Sequence, residues 1–290
     1  MAKRPSSGDV ENRVGPKAAE DDDISSGKPL GVDVVSAEEK SGLSLRAMLP
    51  NAITAAALCS GLTAIRFAID ENWAFAVLAI FVAGILDGLD GRIARLLNAQ
   101  SRFGAELDSL ADALSFGMAP ALILFLWSLN DLTRFGWFAA LAFAICCALR
   151  LARFNARLDM EDQPHKSAGF LTGVPAPAGA GLALTPMCLW METGLDFFRD
   201  PLFNSIWVAV IGVLFISNMA TLSWTAIRPQ RDIRIWLIAL VALAFAGLLL
   251  EPWWTFSTLS IIYLALMPYA LIRYGRIKRA RARAKAEASS

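Results

Sequence analysis

The sequence predicts an all-α polytopic membrane protein with about eight transmembrane helices, and three observations lead to this fold class. Of its 290 residues, 56% are hydrophobic, and the mean hydropathy is +0.49. Apolar stretches close to the ~20 residues that cross a bilayer recur along most of the chain. Basic residues fall in alternate loops between these stretches, as in polytopic proteins with a fixed orientation. This combination excludes an ordinary soluble domain.

The apolar stretches define the predicted elements in order. The expected spans are residues 51–69, 73–97, 104–129, 134–157, 170–191, 204–224, 233–250 and 255–274. Before the first span, apolar residues from Leu43 to Leu49 are interrupted by Ser44 and Arg46, which predicts a short amphipathic interfacial helix. Residues 1–36 have few large apolar side chains, so we expect a disordered cytoplasmic tail. The transmembrane domain is then 37–275, followed by a basic cytoplasmic tail, 276–290.

Loop charges predict the orientation. The basic residues of one side are Arg92, Arg95, Arg102, Arg150, Arg153, Arg157, Lys166, Arg228, Arg231, Arg234 and the tail from Arg273 to Lys285. The opposite loops hold only Arg134 and Arg199. By the positive-inside rule, both termini are cytoplasmic and the number of spans is even. The basic tail is either a topology determinant or a site for anionic lipid head groups.

Four aspartates form the most informative motif of the chain. The pattern is Asp87-x2-Asp90-Gly91-x2-Ala94-Arg95-x8-Gly104-x3-Asp108-x3-Asp112. An aspartate in a membrane helix costs roughly 2.5–3.5 kcal/mol, so a group of four needs partners and indicates a functional site. At ~100° per residue, the aspartates of each helix lie on one face, and a short turn can bring the two faces together. Oxygen-only ligands suit one or two ions of Mg²⁺, Mn²⁺ or Ca²⁺ and argue against zinc or iron.

The glycines and the arginine of the motif indicate a phosphate-bearing ligand. Gly91 and Gly104 lack a Cβ, which lets a ligand approach the helix backbone. Gly104 also begins the third span, where free N–H groups favour an anion, and Arg95 offers a positive fork for a phosphate. For any single residue of the motif, a salt bridge or helix packing is an adequate explanation. Such explanations do not account for all of these residues at these spacings.

The motif resembles the signature of the CDP-alcohol phosphatidyltransferases, integral membrane enzymes that transfer a phosphatidyl or similar group from a CDP-linked donor to an alcohol and release CMP. Every position of that signature is matched. The resemblance implies that Asp87, Asp90, Asp108 and Asp112 bind a pair of divalent ions, Mg²⁺ or Mn²⁺ with Ca²⁺ possible, and that Asp112 is also the base. It further implies that the glycines line the nucleotide cleft and that the protein is a homodimer.

The wider sequence is similar to a branch of bacterial membrane-embedded members that use L-serine as the acceptor and CDP-diacylglycerol as the donor. The segments that carry this similarity are Leu49-Pro50-Asn51-x2-Thr54, the run from Glu106 to Pro120 that includes Ser115, Arg150-Leu151-Ala152-Arg153-Phe154-Asn155, and Phe170 to Pro177. A protein of this branch resides in the cytoplasmic membrane among its lipids, with the active site facing the cytoplasm. No nucleic-acid partner is expected.

The same segments supply the candidate substrate-binding residues. Asn51 and Thr54 are expected to hydrogen-bond the cytidine or ribose, and Ser115 belongs to the same predicted set. Arg150 and Arg153 are candidate partners of the serine carboxylate, and Asn155 is a candidate donor to a phosphate or carboxylate. The two arginines could also be ordinary positive-inside residues. Thr172 and Gly173 are expected to border the acceptor pocket.

Two kinds of alternative stay open at this point. The motif reports the CDP donor and not the alcohol, so glycerol 3-phosphate, an inositol compound or choline are rival acceptors. A transporter could also line its path with intramembrane carboxylates. It would be expected to carry an internal repeat, and the motif from Asp87 to Asp112 has no second copy in the sequence.

Overall fold

The computed structural model describes residues 45–158, 170–217, 220–222 and 231–268. The predicted disordered tail, 1–36, and basic tail, 276–290, lie outside these residues. Side chains are described for most of the same ranges, with the exception of 45–47, 133, 157–158, 170–172, 220–222 and 231–237.

The described part of the chain is almost entirely helical. The helices are α1 (Leu45–Ile69), α2 (Trp73–Leu96), α3 (Arg102–Asp112), α4 (Ala119–Trp127), α5 (Thr133–Leu158), α6 (Ala176–Thr193), α7 (Pro201–Ile216), α8 (Arg231–Leu250) and α9 (252–268). Two three-residue strands, β1 (Phe170–Thr172) and β2 (Ala220–Leu222), pair antiparallel, with Leu171 opposite Thr221.

Four stretches are long and apolar enough to cross a membrane within the described residues: Met48–Ile69, Trp73–Leu96, Arg102–Trp127 and Arg134–Ala156. Shorter apolar helices cover Pro201–Ile216 and Ile238–Leu250. The prediction of a helical, polytopic membrane protein is therefore confirmed. The number of eight spans stays a prediction.

The tightest packing is between α1 and α2, and it depends on small residues. Ala64, Ala68, Ala76 and Ala83 are all at most 1% exposed. Small side chains let two helix backbones approach closely, which is how helices associate in lipid without a hydrophobic driving force between them. The α1–α2 pair forms the frame against which α3 and α4 pack.

The third predicted span is not one regular α-helix. A π-helical stretch, Ala113–Met118, separates α3 from α4. Pro120 follows this stretch after one residue, and a proline ring clashes with the carbonyl four residues earlier and offers no N–H to it. A wider turn at this point relieves both problems, and π-turns of this kind are frequent at functional sites.

Three boundaries differ from the sequence prediction. Residues from Leu45 to Leu49 are the first turns of α1, so the described residues show no separate interfacial helix there. Pro50 lies so near the start of α1 that it removes only one internal hydrogen bond, and the helix continues through it. The fifth and sixth predicted spans lose residues to β1 and β2, because the two segments pair with each other instead.

Candidate active site

Three carboxylates meet where the C-terminal end of α2 faces α3. Asp87 and Asp90 project from α2 and Asp108 projects from α3, and one oxygen from each lies within 4.8 Å of the other two. Asp90 is only 4% exposed, while the other two are half-buried. Like charges at this spacing repel strongly in a poorly hydrated site, so the arrangement requires a cation or bound protons.

A tight turn between α2 and α3 produces this geometry. The turn uses Asn98, whose φ of 50° lies in the left-handed region that asparagine tolerates better than most residues. Ser101 then caps α3, and its hydroxyl accepts a 3.0 Å hydrogen bond from the Gly104 N–H. The turn reverses the chain, and the acidic face of α3 thereby meets that of α2.

Asp112 lies one turn beyond Asp108 on α3. Together with Asp87, Asp90 and Asp108 it forms what we call the acidic group. Its carboxyl group contacts that of Asp87, and its Oδ1 is buried with no hydrogen-bond partner among the described residues. An orphaned carboxylate oxygen beside other carboxylates is what a site for a hard divalent cation provides. The four aspartates therefore fit Mg²⁺, Mn²⁺ or Ca²⁺, and the donor set contains no nitrogen or sulfur.

Thr54 on α1 is hydrogen-bonded to one aspartate of the acidic group. Its hydroxyl is 4% exposed, donates a 2.6 Å hydrogen bond to Asp90 Oδ2, and lies 3.1 Å from the Pro50 carbonyl. The second Asp90 oxygen accepts a hydrogen bond from the Gly91 N–H. This placement favours a role in orienting the carboxylate over the predicted contact of Thr54 with cytidine or ribose.

The two glycines of the motif differ in their surroundings. A Cβ at Gly91 would meet nothing within 4 Å, so the backbone there borders open space, as the sequence predicts for a ligand cleft. A Cβ at Gly104 would lie 2.9 Å from Asn51 Oδ1 and 3.1 Å from Ser101 Oγ. Gly104 thus makes room for Asn51, and its place in the nucleotide cleft stays a prediction.

Arginines lie on two sides of the acidic group. Arg95 is exposed, and its Nε donates a 2.9 Å hydrogen bond to the Gly91 carbonyl, which holds the guanidinium near the open face of α2. Arg150 on α5 is half-buried and close enough to Asp112 to attract it electrostatically. Its Nε is buried without a hydrogen-bond partner among the described residues. Its predicted role near the acceptor stays a prediction.

Two other predicted acceptor residues are occupied by protein contacts. Arg153 is exposed, and one of its terminal nitrogens donates a 2.9 Å hydrogen bond to the Ile216 carbonyl at the end of α7. The Asn155 amide donates a 2.8 Å hydrogen bond to the Ser109 hydroxyl, next to Asp108. Both contacts tie α5 to its neighbours, and the roles of these two side chains at the acceptor stay predictions.

Ser115 also lies away from the open cleft. It is 1% exposed in the π-helical stretch, its hydroxyl is 3.5 Å from the Ala57 carbonyl, and a Cβ at Gly61 would overlap it. The hydroxyl is therefore used in a contact with α1, and its predicted contact with substrate stays a prediction.

The segment before α6 forms a turn rather than a helix start. Gly173 has a φ of 78°, and a Cβ there would lie 3.1 Å from the Phe215 carbonyl, so both the backbone and the close approach require glycine. Pro175 precedes the first turn of α6. The Thr172 side chain lies outside the described part, and its role beside the acceptor pocket stays a prediction, as does that of Gly173.

Sequence reasoning missed two supporting residues. Ser109 is adjacent to a motif aspartate, and Gly61 accommodates Ser115 from another helix. Ser109 could have been noticed in the sequence, because a hydroxyl next to a predicted metal ligand is a weak signal of a supporting role. The Gly61 contact has no such signal, because it joins positions that only helix packing brings together.

Comparison with protein families gives two matches. The family described as CDP-alcohol phosphatidyltransferase matches residues 47–217, which include α1 to α7 almost completely and the whole acidic group. A second family, described as CDP-alcohol phosphatidyltransferase 2, matches residues 232–268 in α8 and α9.

Several curated relatives with similar sequences carry the name CDP-diacylglycerol–serine O-phosphatidyltransferase. The protein from Mycobacterium tuberculosis is 39% identical over 245 residues, which are 84% of this chain and 82% of the relative. The protein from Helicobacter pylori is 33% identical over 219 residues, covering 74% of this chain and 89% of the relative. That from Bacillus subtilis is 35% identical over 171 residues, covering 59% and 88%.

Proposed function

The chain belongs to the CDP-alcohol phosphatidyltransferase family, and we propose that it transfers the phosphatidyl group of CDP-diacylglycerol to L-serine, giving phosphatidylserine and CMP. The observation that carries the proposal is the acidic group, in which Asp87, Asp90 and Asp108 place oxygens within 4.8 Å of one another beside the open backbone of Gly91. The choice of serine is supported by the names of the curated relatives.

An apolar cavity next to the acidic group supports a lipid donor. It has a volume of about 270 Å³ and lies between α2, α6, α9 and the π-helical stretch. Its lining includes Gly84 on α2, only one turn before Asp87, together with Phe81, Phe116 and Leu184. A carbon chain attached to a phosphate at the acidic group can therefore continue directly into an apolar space, which a water-soluble CDP-alcohol would not use.

The aspartates would hold one or, as family resemblance suggests, two divalent ions, Mg²⁺ or Mn²⁺ with Ca²⁺ as an alternative. When bound, such ions neutralise charge on the pyrophosphate and on the departing CMP. Thr54 fixes the Asp90 carboxylate through its 2.6 Å hydrogen bond, so that ligand geometry is set before the donor arrives. Arg95 is positioned to add positive charge at the exposed edge of the same cleft.

The chain's own residues account for proton transfer and acceptor placement. Asp112 accepts the proton of the serine hydroxyl as that oxygen forms a bond to the phosphorus that carries the diacylglycerol. The bond from that phosphorus to the CMP oxygen breaks, and CMP leaves with the electron pair. Arg150 lies close to Asp112 and attracts the serine carboxylate, which brings the hydroxyl towards its base.

The proposal includes the setting of the reaction. Eight spans, both termini in the cytoplasm and a cytoplasm-facing active site in the bacterial inner membrane are supported by the loop charges. The organisation into an N-terminal tail, a transmembrane domain from 37 to 275 and a basic tail rests on composition. Homodimerisation is supported by family resemblance.

The decisive experiment supplies purified protein with CDP-diacylglycerol, Mn²⁺ or Mg²⁺ and one alcohol at a time. We expect CMP and a serine-containing lipid with L-serine, and background release with glycerol 3-phosphate, inositol or choline. Release of CMP with one of these other alcohols and not with serine would assign a different acceptor. Chelation of the divalent ions should stop the reaction, and full activity in chelator would exclude the metal site.

A further inference from the structure

The last described helix, α9, reaches the acidic group. The ring of Phe256 on α9 packs edge-on against Phe81 on α2, with centroids 4.1 Å apart. A helix rises about 1.5 Å per residue. Asp87 therefore lies six residues, or about 9 Å, beyond Phe81 along α2. Tyr263 lies seven residues, or about 10.5 Å, beyond Phe256 along α9. Tyr263 therefore lies at the depth of the carboxylates.

The electrostatic contacts of Arg150 agree with this depth. Its guanidinium is close enough to interact electrostatically with both Asp112 and the Tyr263 hydroxyl. Arg150 thus connects the proposed base on α3 with Tyr263 on α9.

These three residues each carry an unsatisfied polar atom. Asp112 Oδ1, Arg150 Nε and the Tyr263 hydroxyl are all buried and have no hydrogen-bond partner among the described residues. Leaving a buried polar group unpaired is costly, and more so when the group is charged, so three on electrostatically connected residues indicate a missing ligand. Two of the atoms are donors and the third is a carboxylate oxygen.

We propose that Tyr263 is an acceptor-binding residue whose hydroxyl, together with Arg150 Nε, binds the carboxylate of an amino-acid acceptor while Asp112 faces its hydroxyl. The inference rests on the proposed function and extends it to α9, a helix that the acidic motif does not include. L-Serine carries the required groups, a carboxylate for the two donors and a hydroxyl for the base, with three bonds between the hydroxyl oxygen and the carboxylate carbon. An alcohol without an anionic group would leave both donors unpaired.

The test replaces Tyr263 by phenylalanine and measures the KM for each substrate separately. The ring is retained and the hydroxyl has no partner among the described protein residues, so we expect the variant to fold normally. The KM for L-serine should rise at least tenfold, while the KM for CDP-diacylglycerol and the kcat at saturating serine should stay within about twofold. In combination with Arg150→Lys, the increase should be smaller than the product of the two single effects, because both donors bind one carboxylate.

Ser257→Ala is the matched control, since it removes another buried, unpartnered hydroxyl from α9 at a distance of six residues. It should leave the KM for serine unchanged. An unchanged serine KM in Tyr263→Phe, or an equal rise for both substrates, would overturn the inference while the proposed function stands. Absence of serine-dependent CMP release in the unmodified protein would instead overturn the proposed function, and the inference with it.

Discussion

Thr54 on α1 and Asp90 on α2 are joined by a 2.6 Å hydrogen bond in which the threonine hydroxyl donates to a buried carboxylate. The bond connects the first two helices at the level of the acidic group. Outer partners of this kind fix the orientation of a metal ligand before the metal binds, and their loss typically costs 10- to 100-fold in metal affinity or activity. Thr54 therefore links the stability of the α1–α2 pair to the chemistry of the site.

Thr54→Val should weaken metal binding without disturbing the fold. The substitution keeps the shape of the side chain and removes the hydroxyl, so we expect the divalent ion concentration for half-maximal activity to rise by about 10- to 100-fold. Thr63→Val is the control, because Thr63 is exposed on the same helix and its hydroxyl bonds only to the Cys59 carbonyl within that helix. Equal metal requirements in the two variants would argue against the assigned role.

Asp112→Asn should lower kcat by about 10²- to 10⁴-fold, the usual contribution of a positioned base. The amide keeps the size of the side chain and cannot accept the serine proton. CMP release at saturating substrates and metal measures the effect. Asp70→Asn, at an exposed turn between α1 and α2, should keep normal turnover. Near-normal turnover in Asp112→Asn would remove Asp112 as the base.

Alanine substitutions at Gly91 and Gly104 should have different effects, because Gly91 borders open space for a ligand and Gly104 packs against other protein atoms. Gly91→Ala places a methyl group in open space, so thermal stability should be retained or slightly increased, while the KM for CDP-diacylglycerol rises. Gly104→Ala instead pushes against Asn51, with the nearest atom 2.9 Å away, and should lower the thermal midpoint. Gly88→Ala, also in open space on α2, is the control for the backbone effect alone. An unchanged donor KM in Gly91→Ala would show that the ligand does not approach this backbone.

Gly61→Val should destabilise the protein by about 1–3 kcal/mol through overpacking, since the added atoms meet Ser115 and its backbone. The measurement is thermal unfolding in detergent. The activity per folded molecule should stay close to that of the unmodified protein. A variant as stable as the unmodified protein would mean that α1 and the π-helical stretch are less closely packed.

Divalent ions should stabilise the fold as well as support activity. A ligand at about 100 times its Kd adds roughly 2.7 kcal/mol to the free energy of unfolding, so Mn²⁺ or Mg²⁺ should raise the thermal midpoint measurably. Asp108→Asn should abolish the shift, because Asp108 contributes to the group within 4.8 Å. Asp131→Asn, distant in the chain and exposed, should preserve it. A shift that survives in Asp108→Asn would place the ions elsewhere.

The acidic group shows how far local sequence carries a prediction. Helical periodicity puts Asp87 and Asp90 on one face of α2 and Asp108 and Asp112 on one face of α3, and the short connection allows these faces to meet. The helix bounds of α2 and α5 also follow the apolar pattern within one residue. Predictions of this kind succeed because they depend on neighbours within one or two helical turns.

Contacts with more distant partners could not be predicted in this way. Ser115, Arg153 and Asn155 have the chemistry of substrate contacts, and in the structure their side chains meet Ala57, Ile216 and Ser109. A donor in a membrane helix is satisfied by whichever acceptor packing brings near it, and the spacing along one helix does not specify that acceptor. The same reason explains why β1 and β2 were assigned to spans.

The membrane class, the acidic motif and the family resemblance could all be predicted from the sequence, because each depends on composition or on spacing within a few helical turns. Which polar side chains are used in packing and which stay unpaired follows only from the three-dimensional packing of the helices. It placed Thr54 behind Asp90 and brought Tyr263 towards Arg150 from a helix more than a hundred residues away. Such contacts arise from the packing of whole helices, whose relative rotation and depth depend on all of their buried side chains together.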